Sequence, residues 1–160
     1  MAGIFQVNEV VGIAVEIEKR GEEFYRDMAS KVKSPEVKQA MEFLAGEEVK
    51  HQRIFSQMLS KLAPLKPPAG SMEAEYWAYV NDLIDSHFLF DAPLGKKLAS
   101  SVASDKEALH LAMGFEKESI LFFTEMKGLV PAEEARALEG CIQEERKHLR
   151  KLAELLKSGA

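Results

Sequence analysis

Six residues in two matched sets are the ones with chemistry to offer. Glu18, Glu48 and His51 stand in the first half of the chain, and Glu116, Glu145 and His148 stand 97 or 98 residues after their counterparts. The surroundings repeat as well. Ala14, Glu18, Gly21, Phe24, Tyr25 and Met28 return as Ala112, Glu116, Ser119, Phe122, Phe123 and Met126; Glu47-Glu48-Val49-Lys50-His51 returns as Glu144-Glu145-Arg146-Lys147-His148. Self-similarity at a fixed period implies a duplicated supersecondary unit, here a helical hairpin. Four carboxylates and two imidazoles repeated in this way imply one symmetric site at a pseudo-twofold axis, with oxygen and nitrogen donors suited to divalent metals.

Four long amphipathic segments must position these residues. The first runs from Asn8, a candidate N-cap, to Ser30. The second opens at Ser34-Pro35-Glu36, a cap followed by proline at the first helical position, and runs to Leu62. The third starts at Ser104, which forms a candidate capping box with Glu107, and ends near Gly128. The fourth runs from Pro131-Ala132-Glu133 to near Lys157, before Gly159. No useful strand-like alternation is present. Short gaps within each pair predict antiparallel hairpins over 8–62 and 104–158. The crossover over 63–103 is long enough to return along a bundle. It holds the helix-breaking stretch Pro64–Ser71 and a short helix expected over Met72–Asp85. The expected architecture is all-α, one four-helix bundle over residues 1–160. The crossover aromatics Tyr76, Trp77, Tyr79, Phe88 and Phe90 either cap that bundle or form a subunit interface.

Helical stepping places the six residues on the inward seams. These read Val11, Ala14, Glu18, Gly21, Tyr25, Met28 in the first segment and Val37, Met41, Leu44, Glu48, His51, Phe55, Met58, Leu62 in the second. In the third they read Leu109, Ala112, Glu116, Ser119, Phe123, Met126, and in the fourth Leu138, Cys141, Glu145, His148, Leu152, Leu155. Every seam carries a glutamate at its middle. Glu22, Glu42, Glu47 and Glu144 fall off the seams and read as solvated face. Four ionised carboxylates in an apolar core are costly unless compensated, and no Lys or Arg shares the seams. Two divalent cations would balance four carboxylates, and two neutral imidazoles would complete the shell. The i, i+3 spacing of Glu48 to His51 and of Glu145 to His148 puts each pair on one helix face. A glutamate from each of two helices and Glu-x-x-His from the other two is the layout of carboxylate-bridged dimetal bundles. The methionines Met28, Met41, Met58, Met113 and Met126 read as core packing, and Cys141 as a small buried hydrophobe.

The totals exclude several classes. A chain of 160 residues with 46% hydrophobic and 29% charged residues suits one globular domain. The net charge of −5 argues against nucleic acid. No apolar run is long enough to span a bilayer, and no secretory signal is evident at the N-terminus. A single cysteine, unable to form an internal disulfide, makes a cytoplasmic location the default expectation.

The motifs Glu18-x-x-Gly21-x-x-Phe24-Tyr25, Glu48-x-x-His51, Glu116-x-x-Ser119-x-x-Phe122-Phe123 and Glu145-x-x-His148 resemble those of the ferritin-like di-iron superfamily, and within it the rubrerythrins, over nearly the whole chain. The resemblance implies two iron ions, with manganese or a mixed Mn/Fe pair as alternatives. It makes Glu18 and Glu116 terminal ligands, Glu48 and Glu145 bridging carboxylates, and His51 and His148 the nitrogen ligands. It also makes the Tyr25 hydroxyl a partner for a carboxylate of the site, against the alternative of a plain core aromatic. Two departures stand out. Peroxide-reducing rubrerythrins carry an extra carboxylate one turn after the third-helix glutamate, used in a redox-linked ligand exchange; Ser119 occupies that place. Rubrerythrins with a full electron-transfer chain also carry a rubredoxin domain with two Cys-x-x-Cys pairs, which one cysteine cannot supply.

The implied activity is reduction of hydrogen peroxide or dioxygen by a non-haem di-iron oxidoreductase, in effect a peroxidase. The electrons would come from an external donor such as a rubredoxin-type protein. Two other readings remain open. One is a ferroxidase and iron-storage protein, which would assemble as a shell; the other is a bundle in which metal serves only stability. A homodimer or higher homo-oligomer is expected, with no nucleic-acid or membrane partner.

Overall fold

The structure, a computed structural model, describes residues 7–62, 73–87 and 92–159. These form six helices: α1 (Val7–Lys31), α2 (Pro35–Lys61), α3 (Glu73–Ser86), α4 (Ala92–Ser101), α5 (Asp105–Lys127) and α6 (Ala132–Ser158). Among the described residues there is no strand, and no helix is long and apolar enough to cross a membrane.

Helix ends follow the local chemistry. The Ser34 hydroxyl accepts from the Val37 N–H at 3.4 Å, with Pro35 opening α2. Ser104 Oγ accepts from the Glu107 N–H at 3.2 Å, while Glu107 Oε2 accepts from the Ala103 N–H at 2.8 Å. This is a capping box whose return arm reaches one residue further back than the usual form. Gly159 ends α6 with φ 75, the left-handed conformation that a Cβ would penalise, and its N–H donates to the Leu155 carbonyl. Asn8, expected to cap α1, instead lies inside it: Val7 is already helical, and Asn8 Oδ1 makes no hydrogen bond. The burial of Val10 and Val11 helps hold this end of the helix, so its start follows packing rather than the capping signal.

Helix α1 packs along α2, and α5 along α6; across the bundle α1 meets α5 and α2 meets α6. The core runs between them, through Ile17, Leu44, Phe55, Leu109, Phe115, Phe122, Phe123 and Leu138. Asp105 ties the hairpins together by accepting from the backbone N–H groups of Lys33 (2.8 Å) and Ser34 (2.6 Å), so the α1–α2 turn sits on the start of α5.

The crossover differs from expectation. Among the described residues it holds two helices: α3, where a short helix was expected, and α4 beyond it. Helix α4 packs against α1 and α3 against α5. Proline in the first turn of α4 lacks an N–H that would have no helical partner there, so Pro93 is compatible with that helix. Tyr76 is half-buried and Tyr79 is exposed. Pro64–Ser71, Met72, Phe88, Phe90 and the Trp77 side chain lie outside the described residues.

Candidate metal centre

All six residues singled out by spacing are buried at the middle of the bundle: Glu18 on α1, Glu48 and His51 on α2, Glu116 on α5, Glu145 and His148 on α6. They form two overlapping groups. Glu18, Glu48, His51 and Glu145 bring one ligand atom each to within 4.8 Å of one another, and so do Glu48, Glu116, Glu145 and His148. Glu48 and Glu145 belong to both groups, the geometry required of bridging carboxylates. Each half has one further carboxylate and one imidazole of its own.

Both histidines turn Nδ1 inward. His51 Nδ1 lies 2.8 Å from Glu145 Oε1, 3.7 Å from Glu18 Oε2 and 3.8 Å from Glu48 Oε2. His148 Nδ1 lies 2.9 Å from Glu145 Oε2 and 3.7 Å from Glu116 Oε2. The two rings are stacked with centroids 6.1 Å apart. Phe55, against His51, and Phe123, in contact with Phe55, close one side of the site. On the other side, Gly21 has a specific task. A Cβ there would fall 2.6 Å from Phe115 Cζ and 3.4 Å from Glu48 Cγ, so only glycine lets the Phe115 ring settle on α1 beside the carboxylate.

The electrostatics follow from crowding acids away from water. Burial raises the pKa of Glu18 against the opposing pull of Glu48 and His51, and burial reinforced by neighbouring carboxylates holds Glu48 and Glu116 well above the ordinary value. Burial also opposes ionisation of Glu145, but the hydrogen bond from His148 and the His51 imidazole 2.8 Å away outweigh it and keep Glu145 charged. The histidines respond in the opposite sense. Burial disfavours their charged form, yet the facing carboxylates raise both, His148 to about 10. Without an ion, then, the imidazoles carry protons and supply positive charge; the neutral imidazoles of the sequence reading belong to the metal-bound shell. Neutral imidazole requires a stronger cation to replace those protons.

The donor set fits such cations. Both oxygens of Glu18 and Glu48, one oxygen each of Glu116 and Glu145, and His51 Nδ1 are buried with no hydrogen-bond partner. Buried polar atoms left this way are costly, and here they converge on the same place. Ser119 Oγ is also buried without a partner, one turn after Glu116. Tyr25, two turns along α1 from Glu18, donates its hydroxyl across the bundle to Glu116 Oε1. Burial and then Glu116 push the Tyr25 pKa well above its usual value, so the phenol keeps its proton. Phe123, its counterpart, is plain core.

The rubrerythrin family matches this chain over residues 9–156. The chain belongs to that family. Among solved structures, this rubrerythrin is similar to a protein of Thermotoga maritima described as a ferritin-like diiron-carboxylate protein, at 26% identity, a TM-score of 0.70 and coverage of 98% of this chain and 97% of that one. It shares its fold with a hypothetical protein from Pyrococcus furiosus, at 24% identity, a TM-score of 0.61 and coverage of 96% and 92%. No protein of curated function matches it. The ferritin-like fold, the family and a carboxylate–histidine cluster fit for a di-iron site agree with the sequence reading.

Two residues of this rubrerythrin escaped that reading. Glu47 and Glu144, assigned to the solvated face, reach the outer side of the centre. Glu144 Oε2 accepts from His51 Nε2 at 2.8 Å, and Glu47, itself buried, has Oε2 3.9 Å from His148 Nε2. Each sits one step before a bridging glutamate, off its own helix's seam, and meets a histidine of the other hairpin. The signal available in sequence was the Glu-Glu doublet, kept in both copies.

Proposed function

We propose that this rubrerythrin is a non-haem di-iron oxidoreductase that reduces peroxide or dioxygen with electrons from an external donor. The observation that carries the reading is the pair of four-residue groups sharing Glu48 and Glu145. Glu48 and Glu145 would bridge two ions, Glu18 and Glu116 would each close one end, and the Nδ1 atoms of His51 and His148 would complete the two shells. Two irons so held would supply two electrons and a Lewis-acidic template for an O–O bond.

The chain's own residues set the conditions. With two divalent cations bound, His51 and His148 would offer Nδ1 without its proton, and the carboxylates of Glu18, Glu48 and Glu116 would be held ionised. Tyr25 holds its proton at Oη and donates to Glu116 Oε1, which leaves Glu116 Oε2 to face the centre. Phe55, Phe115, Phe123 and Cys141 exclude water around the ligands; burial pushes the Cys141 thiol up to about 12, which keeps it protonated. Ser119, in the place of a carboxylate, offers no second acid to trade for a ligand.

The test is anaerobic loading with Fe²⁺, elemental analysis, and stopped-flow mixing with hydrogen peroxide or with dioxygen. Two irons per chain and oxidation much faster with peroxide are expected. Oxidation by dioxygen that continues well beyond two irons per chain would replace the reading with iron storage. Two bound irons that neither oxidant turns over would leave a bundle that metal merely stabilises.

A further inference from the structure

The two histidines present the same inner nitrogen to the centre but have unequal outer partners. An imidazole that offers Nδ1 to a cation keeps its proton on Nε2, and whatever accepts that N–H fixes the tautomer, orients the ring and makes Nδ1 a stronger donor. On His51 the acceptor is Glu144 Oε2, at 2.8 Å. On His148 the corresponding carboxylate is Glu47, with its Oε2 3.9 Å away, beyond hydrogen-bond length. A reason for the gap lies on α2: Lys50, one turn along, donates to Glu47 Oε1 and competes with His148 for the carboxylate. The carboxylates at the inner side differ in the same sense. Tyr25 donates to Glu116, in the His148 half, and withdraws electron density from it; Phe123 can donate nothing to Glu18, in the His51 half.

We propose that Glu144 and Glu47 are positioning residues for the imidazoles, and that the closed Glu144–His51 pair makes the Glu18/His51 position the tighter of two unequal metal positions. The proposal rests on the reading of the six buried residues as ligands. It goes further in ranking the two positions and in naming the outer residues that rank them. Glu144 has a side chain 44% exposed, so it can be replaced without opening the core.

The experiment is an anaerobic titration of the full chain with Co²⁺ against a chromophoric chelator, with the Co²⁺ d–d absorption recorded at each step. The unaltered chain should bind two ions in two resolved steps. Glu144→Ala should weaken the tighter step about 10–100-fold and change the d–d spectrum of the first ion. Glu144→Gln, whose amide oxygen can still accept from Nε2–H, should recover most of that affinity. A merely structural role would not produce that recovery, nor the spectral change. Glu47→Ala should have a smaller effect, confined to the weaker step, and Lys50→Gln, which releases Glu47 toward His148, should tighten that step. Two ions bound with Glu144→Ala unchanged, or with Gln no better than Ala, would overturn the proposal and leave the ligand assignment standing. A chain that binds no Co²⁺ would overturn both.

Discussion

The two halves of the centre are copies in their six central residues and differ at a few of the positions around them. Glu18, Glu48 and His51 match Glu116, Glu145 and His148 in residue, helix position and burial. Around them Tyr25 faces Phe123 in the repeat, Gly21 faces Ser119, and a closed Glu144–His51 pair faces an open Glu47–His148 pair. The difference teaches where duplication stops constraining. The charge balance of a buried four-carboxylate site needs every ligand, so none can drift. The residues behind them each touch one half of the centre, and several differ between the copies.

The strongest way to break the comparison is to remove a shared ligand. Because Glu48 and Glu145 serve both groups, Glu48→Ala or Glu145→Ala should lower metal content from two ions per chain to one or none, read by elemental analysis after dialysis. Glu18→Ala or Glu116→Ala should spare one position. A Glu48→Ala chain that still holds two ions would end the assignment of a bridged centre.

The charge state supplies the next test, which acts on both halves together. Glu18, Glu48 and Glu116 have folded pKa values above the unfolded 4.5, and His51 and His148 above 6.5, so all five hold protons more tightly folded than unfolded. Stability linked to such groups is greatest at low pH and is lost as pH rises toward the folded values. Glu145 runs the other way, but its loss falls below pH 4.5, outside this range. The metal-free chain should therefore melt at progressively lower temperature from about pH 5 to about pH 10, the value reached by His148. The loaded chain should show a flatter profile, since the ions replace those protons. Parallel melting curves for the two forms would count against a four-carboxylate core.

A single substitution should then make the halves more alike. Tyr25→Phe copies Phe123 and leaves Glu116 Oε1 buried without its donor, which should destabilise the metal-free chain by about 1–3 kcal/mol in denaturant unfolding. Removing the phenol also restores electron density to Glu116, so the gap between the two metal affinities should narrow. Unchanged stability would mean that the hydroxyl contributes nothing to holding the carboxylate.

Much of this was legible because a seam of period 3.6 and a repeated motif are strong signals. Glu18, Glu48, Glu116 and Glu145 stood at mid-seam among apolar neighbours, and no surface helix needs that arrangement. Ser34-Pro35 and Ser104 marked two helix starts for the same kind of reason, local chemistry acting on local backbone. What the sequence hid was set by distant parts of the chain. Glu47 and Glu144 sit about 100° round the helix from their bridging neighbours, so a helical wheel assigns them to solvent; only packing of one hairpin on the other brings them to a histidine. Helix α4 is short, and its pattern is interrupted by Pro93 and Gly95, so it has little periodicity to read. The protons on His51 and His148 depend on four carboxylates summed in space, which no spacing reveals.

The smallest effect tests the remaining difference, Gly21 against Ser119. At Gly21 there is no room, because Phe115 packs where a Cβ would be. At Ser119 there is a side chain, but its hydroxyl is buried with no partner. A buried polar group that makes no hydrogen bond costs more than the methyl that would replace it. Ser119→Ala should therefore stabilise the metal-free chain by up to about 1 kcal/mol, measured by denaturant midpoint at constant slope. It should leave metal content at two ions per chain. If Ser119→Ala instead lowers metal content, the hydroxyl reaches the centre, and the serine that stands in place of a family carboxylate takes part in holding the metal pair.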